Sequence, residues 1–138
     1  MRAALTAALL VALARAGHPQ TDSLDRAAEL AQRAWFNHDA PALVAGSPRI
    51  VVQLPGTDPS GALGQAQATA LLRDYFNSVQ EVETVVRSAR EVEPGRGYVE
   101  LLRRYRVTGT QDVRTQTLLL GYRKGDQGWV LTEIRASG

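Results

Sequence analysis

His38 and Asp39 are the one place in the chain where an imidazole and a carboxylate stand side by side. An imidazole oriented by a carboxylate is a common general acid/base arrangement near neutral pH. The same two residues, following Asn37 and preceding Ala40-Pro41, also suit a polar corner between helices, and that structural role is the expectation. His18 lies ahead of the folded region. With two histidines and no cysteine, a zinc site would need carboxylates gathered from several elements, and no spacing does that. No metal and no cofactor is expected. The lack of cysteine also excludes disulfides and thiol nucleophiles. Gly-rich phosphate loops, a Gly-x-Ser-x-Gly elbow and the zinc-protease helix motif are absent from the sequence.

Binding chemistry is better represented. Trp35, Tyr75, Tyr98, Tyr105 and Tyr122 combine large contact area with a polar tip, and Gln53 offers an amide on the first strand. Most of the rings belong in a core, and a subset is expected to line a cavity. Arg87, Arg90, Arg103, Arg104, Arg106 and Arg114 fall on strands expected to be neighbours. Glu81, Glu83, Glu91, Glu93 and Glu100 share that sheet, so cross-strand ion pairs are expected rather than an anion-binding stripe.

The elements that must position these residues follow from periodicity. Thr21 and Asp22 offer N-cap side chains before a helical run of Leu24, Ala28, Ala31 and Trp35, ending at Asn37-His38. Asp39 caps a short second helix that Gly46 stops. Arg49 to Leu54 reads as a strand, and Ala62 to Asn77 as a helix with Ala68, Leu71, Leu72, Tyr75 and Phe76 on one face. Beyond it the period changes to two. Turn signals at 94–97, 109–112 and 125–128 divide the rest into strands near Val82–Val92, Tyr98–Thr108, Val113–Lys124 and Trp129–Ala136, paired antiparallel. In the second of these, Val99, Leu101, Tyr105 and Val107 share a face, with Arg103 as the exception. This is an α+β chain: N-terminal helices on a strongly curved, mostly antiparallel sheet.

Residues 1–16 differ in kind. Met1-Arg2 is followed by an apolar run from Ala3 to Ala14 with one Thr, and Ala14-Arg15-Ala16 supplies small residues for cleavage. Twelve residues span about 18 Å as a helix, short of the roughly 30 Å hydrocarbon layer, so this reads as a secretory signal rather than an anchor. Residues 17–21 form a linker and 22–138 one domain. Of the sixteen basic residues two lie in the signal, leaving fourteen against fourteen acids. A neutral domain lacks the electrostatic drive for nucleic acid, so the pI near 9.4 carries no such implication. No nucleic acid is expected as a partner, and no membrane after cleavage.

The order helix, short helix, strand, helix and four long strands resembles the nuclear-transport-factor-2-like cone. So do the corner Asn37-His38-Asp39-Ala40-Pro41-Ala42-Leu43, the segment Arg49 to Gly56, Gly64 to Ala68 with Leu71 to Phe76, and the closing Gly128 to Arg135. These last segments are similar to a family of uncharacterised exported bacterial proteins of that superfamily. The resemblance spans about residues 22–136 and implies the fold. Steroid-isomerase-like relatives carry a catalytic carboxylate at the end of the first strand, where this chain has Val52-Gln53-Leu54-Pro55 and no acid. No catalytic residue is assigned. The expected function is a non-catalytic exported module binding a small apolar molecule or a protein. Two alternatives stand beside it: a lyase or isomerase with Tyr75 or Tyr98 as donor and Asp39 or Asp58 as base, and a homodimer of curved sheets packed face to face.

The export reading predicts a mature chain that starts at Gly17. N-terminal sequencing of protein recovered from the native host checks it, and full-length chain in the cytosol would refute it.

Overall fold

A computed structural model describes residues 23–137. The expected signal and linker, His18 and the cap candidates Thr21 and Asp22 lie outside the described residues. Helix α1 spans Leu24–Phe36, α2 Ala40–Val44 and α3 Gln65–Phe76. The strands are β1 (Val51–Gln53), β2 (Val79–Glu93), β3 (Arg96–Val107), β4 (Val113–Gly125) and β5 (Gly128–Ser137).

The N-cap of α1 is Ser23, not Thr21 or Asp22: its backbone is extended and its Oγ accepts from Arg26 N at 3.0 Å. Asp39 caps α2 as expected, Oδ1 accepting from Ala42 N at 3.2 Å. Between them His38 takes φ 56°, a left-handed conformation that turns the chain sharply from α1 into α2. Helix α3 opens at Gly64, whose N–H donates to Gln67 Oε1 at 3.1 Å.

The sheet order is β1-β5-β4-β3-β2, with β2 to β5 joined as antiparallel hairpins and β1 added parallel to β5. Strand β1 is shorter than the expected 49–54 because Ile50 instead pairs with Leu63 across the following loop, and Pro55 cannot donate to a ladder. Register shifts at 81/83, 86/88 and 91/93 interrupt β2, and such bulges bend and twist a strand. The sheet is curled but not closed.

The concave face carries Val99, Leu101, Leu118, Leu120, Trp129, Leu131 and Ile134, all buried. Against it lie Ala27, Ala28, Ala31 and Trp35 from α1, and Leu72 and Phe76 from α3. Small alanines let α1 approach the sheet closely. The convex face has no helix upon it among the described residues, so alternate positions of β3 and β4 are buried and half-exposed by turns.

Leu72 has no exposed surface, sitting where α3 meets the strands. Leu72→Ala is expected to cost about 2–5 kcal/mol in urea denaturation, as large-to-small core changes do.

Candidate functional site

The exception in β3 organises the concave side. Arg103 occupies an inward position and its side chain is wholly buried. Its Nε donates to Glu81 Oε2 at 3.0 Å, and Nη2 donates to Glu81 Oε1, making a two-pronged ion pair with the neighbouring strand. Nη1 donates to Gln116 Oε1 at 2.9 Å and to Tyr75 Oη at 2.6 Å. The guanidinium also lies 3.8 Å from the Tyr105 ring centroid and 5.2 Å from that of Trp35. Glu81 takes further donors from Thr84 Oγ1 at 3.3 Å and from His38 Nε2 at 3.4 Å. The part of the cone around Arg103 is therefore filled by a charge pair wrapped in aromatic rings.

His38 belongs to this network rather than to Asp39, which is spent on capping α2. Its ring stacks on Phe76 with centroids 4.3 Å apart, and its side chain is 24% exposed. Asp58 lies exposed in the loop after β1. Burial raises the Tyr75 phenol above its ordinary value, against the opposing effect of Arg103. Burial also pushes up Tyr122. For both, the folded pKa exceeds the unfolded one, so their contribution to stability is complete below about pH 10 and is lost as pH rises beyond it. The Trp35 indole N–H has no partner within this interior.

Three of the rings singled out from the sequence, Trp35, Tyr75 and Tyr105, thus surround Arg103. Tyr98 does not join them. It points from the convex face, in a row that crosses every strand: Arg90, Tyr98, Gly121, Glu133 and Val51 are successive cross-strand partners. A cavity of about 370 Å³ opens over this row, lined by Val51, Tyr98, Gly121, Glu133 and the flanking Arg96 and Arg123. A second, of about 270 Å³, adjoins it at Tyr98, Glu133 and Arg135 and is floored by Leu119 and Val92. Arg96 Nη2 donates to Tyr98 Oη at 3.2 Å, fixing the ring as a wall, and Arg135 Nε meets Glu133 Oε2 at 2.6 Å. Tyr122 is buried on the concave side, where it borders a depression of about 340 Å³ between α1, α2 and the ends of β4 and β5. Gln53 sits at the convex edge and donates to Thr57 O at 3.3 Å, tying down its own loop.

The expected arginine and glutamate pairing is real at Arg103–Glu81 and at Arg104–Glu83, 3.5 Å apart across β2 and β3. Arg90, Arg87 and Arg114 make no ion pair among the described residues. Sequence reasoning had Glu81 as a cross-strand ion-pair partner but not its burial at the centre of the cone, and it missed Arg123. A glutamate on a half-apolar strand signals nothing by itself, but Arg103 breaking an apolar stripe does demand a buried acid. Arg123 follows the inward Tyr122 and so had to face outward. Among the described residues no group of three or more acidic or histidine side chains is placed to hold a metal.

No family model matches the chain, and no curated protein matches it. Solved structures do. A ketosteroid isomerase-like protein from Erwinia carotovora atroseptica superposes with TM-score 0.67 at 17% identity, covering 83% of this chain and 92% of that one. This chain has the nuclear-transport-factor-2-like fold. A nuclear-transport-factor-2-like protein of unknown function from Shewanella oneidensis gives TM-score 0.56 at 15% identity, covering 83% and 95%. A domain of unknown function with a cystatin-like fold, from Nostoc punctiforme, gives 0.63 at 17% identity, covering 80% and 72%.

Arg103→Met strands Glu81 without its countercharge and is expected to cost about 3–5 kcal/mol in urea denaturation. The double change Arg103→Met with Glu81→Leu should recover most of that loss, which separates a paired charge from mere packing.

Proposed function

We propose that the domain is a non-catalytic, exported module that binds a small molecule on the convex face of its sheet. The observation that carries this is the allocation of the two faces. Around Arg103 the concave side, where a cone of this kind has room for a ligand, is taken up by Glu81 and the rings, and the depression left beside Tyr122 lies away from that network. The convex side holds an open groove with an aromatic wall and a glycine floor. Ligand sites combine apolar area with a few convergent polar groups, and the groove over Gly121 has both. Export rests on the apolar leader and its cleavage motif.

One observation favours a second reading, a lyase or isomerase. His38 is partly exposed, and Glu81 fixes its ring as an orienting carboxylate would. Turnover of small enones or hydroxy-ketones that disappears in His38→Gln would establish it.

The binding reading is checked by fragment screening with amide chemical shifts. Hits should perturb Tyr98, Gly121 and Thr132. Gly121→Ala should remove them, because the added methyl would stand 3.1 Å from Glu133 Oε1 and 3.3 Å from Tyr98 Cε1 and close the groove. Hits confined to Ala31, Leu43 and Trp129 would move the site to the α1–α2 depression and refute the reading. A dimer in sedimentation that buries the convex face would refute it as well, in favour of homodimerisation.

A further inference from the structure

We propose that the groove over Gly121 takes a small organic monocarboxylate, its acidic group held between Arg96 and Arg123 and its flat apolar body against Tyr98. This deepens the convex-face reading and rests on it.

Arg96 and Arg123 are direct cross-strand partners on β3 and β4, and both line the larger cavity. Side chains so placed have Cβ atoms about 4.5–5.5 Å apart, and like charges there repel. Native neighbours cancel the repulsion only in part. Glu93 lies 3.6 Å from Arg96 as an exposed pair, and Arg123 has no ion pair among the described residues. An anion between the two guanidinium groups would relieve the repulsion and satisfy planar N–H forks suited to carboxylate.

The remaining walls select the rest of the ligand. At Gly121 the floor is bare backbone closed in by Tyr98 and Glu133, where even a methyl would stand 3.3 and 3.1 Å from them, so a ligand lies above it along the Tyr98 ring. That ring is held at its hydroxyl by Arg96, and the adjoining cavity continues onto Leu119 and Val92. A flat apolar body running that way stays on apolar surface. Glu133 stands across the floor from Tyr98, its carboxylate engaged by Arg135. It opposes a second negative charge, which disfavours dicarboxylates and phosphate. One acidic group joined to a planar apolar body is the chemistry that fits.

The test titrates the purified, isotope-labelled protein with benzoate, with benzamide as a neutral probe of the same shape, and with inorganic phosphate. Benzoate should shift the amides of Tyr98, Gly121 and Arg123, binding about tenfold more tightly than benzamide, as a charge-assisted hydrogen bond provides. Arg123→Gln should weaken benzoate by about the same factor and leave benzamide unchanged. The unliganded Arg123→Gln protein should melt at a higher temperature than the parent, because its like-charge pair is gone. Benzamide equalling benzoate at Gly121 would overturn the carboxylate assignment while leaving the convex-face site standing. Phosphate equalling benzoate would overturn the monocarboxylate selectivity. Shifts limited to the α1–α2 depression, with none at Gly121, would overturn both the ligand class and the site.

Discussion

A guanidinium with no solvent exposure can be carried inside a protein only if its charge and its N–H groups are met, and Arg103 is met by Glu81, Gln116 and Tyr75. Each partner comes from a different element: β2, β4 and α3. The rings stacked about it add β3 itself and α1. One side chain therefore ties together three strands and two helices. Glu81 extends the tie to the α1–α2 corner through His38, whose left-handed backbone and stacking on Phe76 hold that corner in place. A hydrophobic residue at 103 would pack against the same neighbours without fixing their orientation.

That constraint divides the labour between the two faces of the sheet. Alternation along a strand sends successive residues to opposite faces, so a side committed to a buried charge network and helix packing leaves the other to solvent. The convex face of β3 accordingly carries Tyr98, Glu100, Leu102 and Arg104, none of them buried. The solved structures that share the fold show the architecture alone at their level of identity, and the division of faces comes from this chain's own residues.

Much of the fold was legible because its determinants are local. The period-two pattern with Gly-rich turns fixed four antiparallel strands, and Asp39 fixed the start of α2. Where reading failed, the competing interaction was non-local or lay one residue away. Ser23 displaced Thr21 and Asp22 as the cap of α1, and β1 lost a residue to the Ile50–Leu63 bridge. The site was legible only in fragments. Tyr75, Tyr105 and Trp35 were recognisable as rings, and Arg103 as an anomaly, but their convergence depends on which strands lie adjacent and on the bulges of β2. Tyr98 looked like its fellows. Its opposite orientation was nevertheless set by its alternation with the apolar Val99 and Leu101, which puts it on the face of Glu100 and Arg104.

The groove and the packing of α1 are two outcomes of one motif. On adjacent positions of β3 and β4, Gly97 faces Tyr122 and Tyr98 faces Gly121, so a tyrosine stands opposite a glycine on each face of the sheet. In both pairs the missing side chain leaves a hollow beside a ring. On the concave face the hollow is filled: a Cβ at Gly97 would lie 2.6 Å from Leu24 Cδ2. The first turn of α1 settles there and Tyr122 is buried. On the convex face no helix arrives among the described residues; Tyr98 and Glu133 themselves close on Gly121, where an added methyl would stand 3.3 and 3.1 Å from them, and the cavity lies over that pair. The glycine is what lets the Tyr98 ring and the Glu133 side chain meet across β4, and Arg96 and Arg123, cross-strand partners, border the cleft above them.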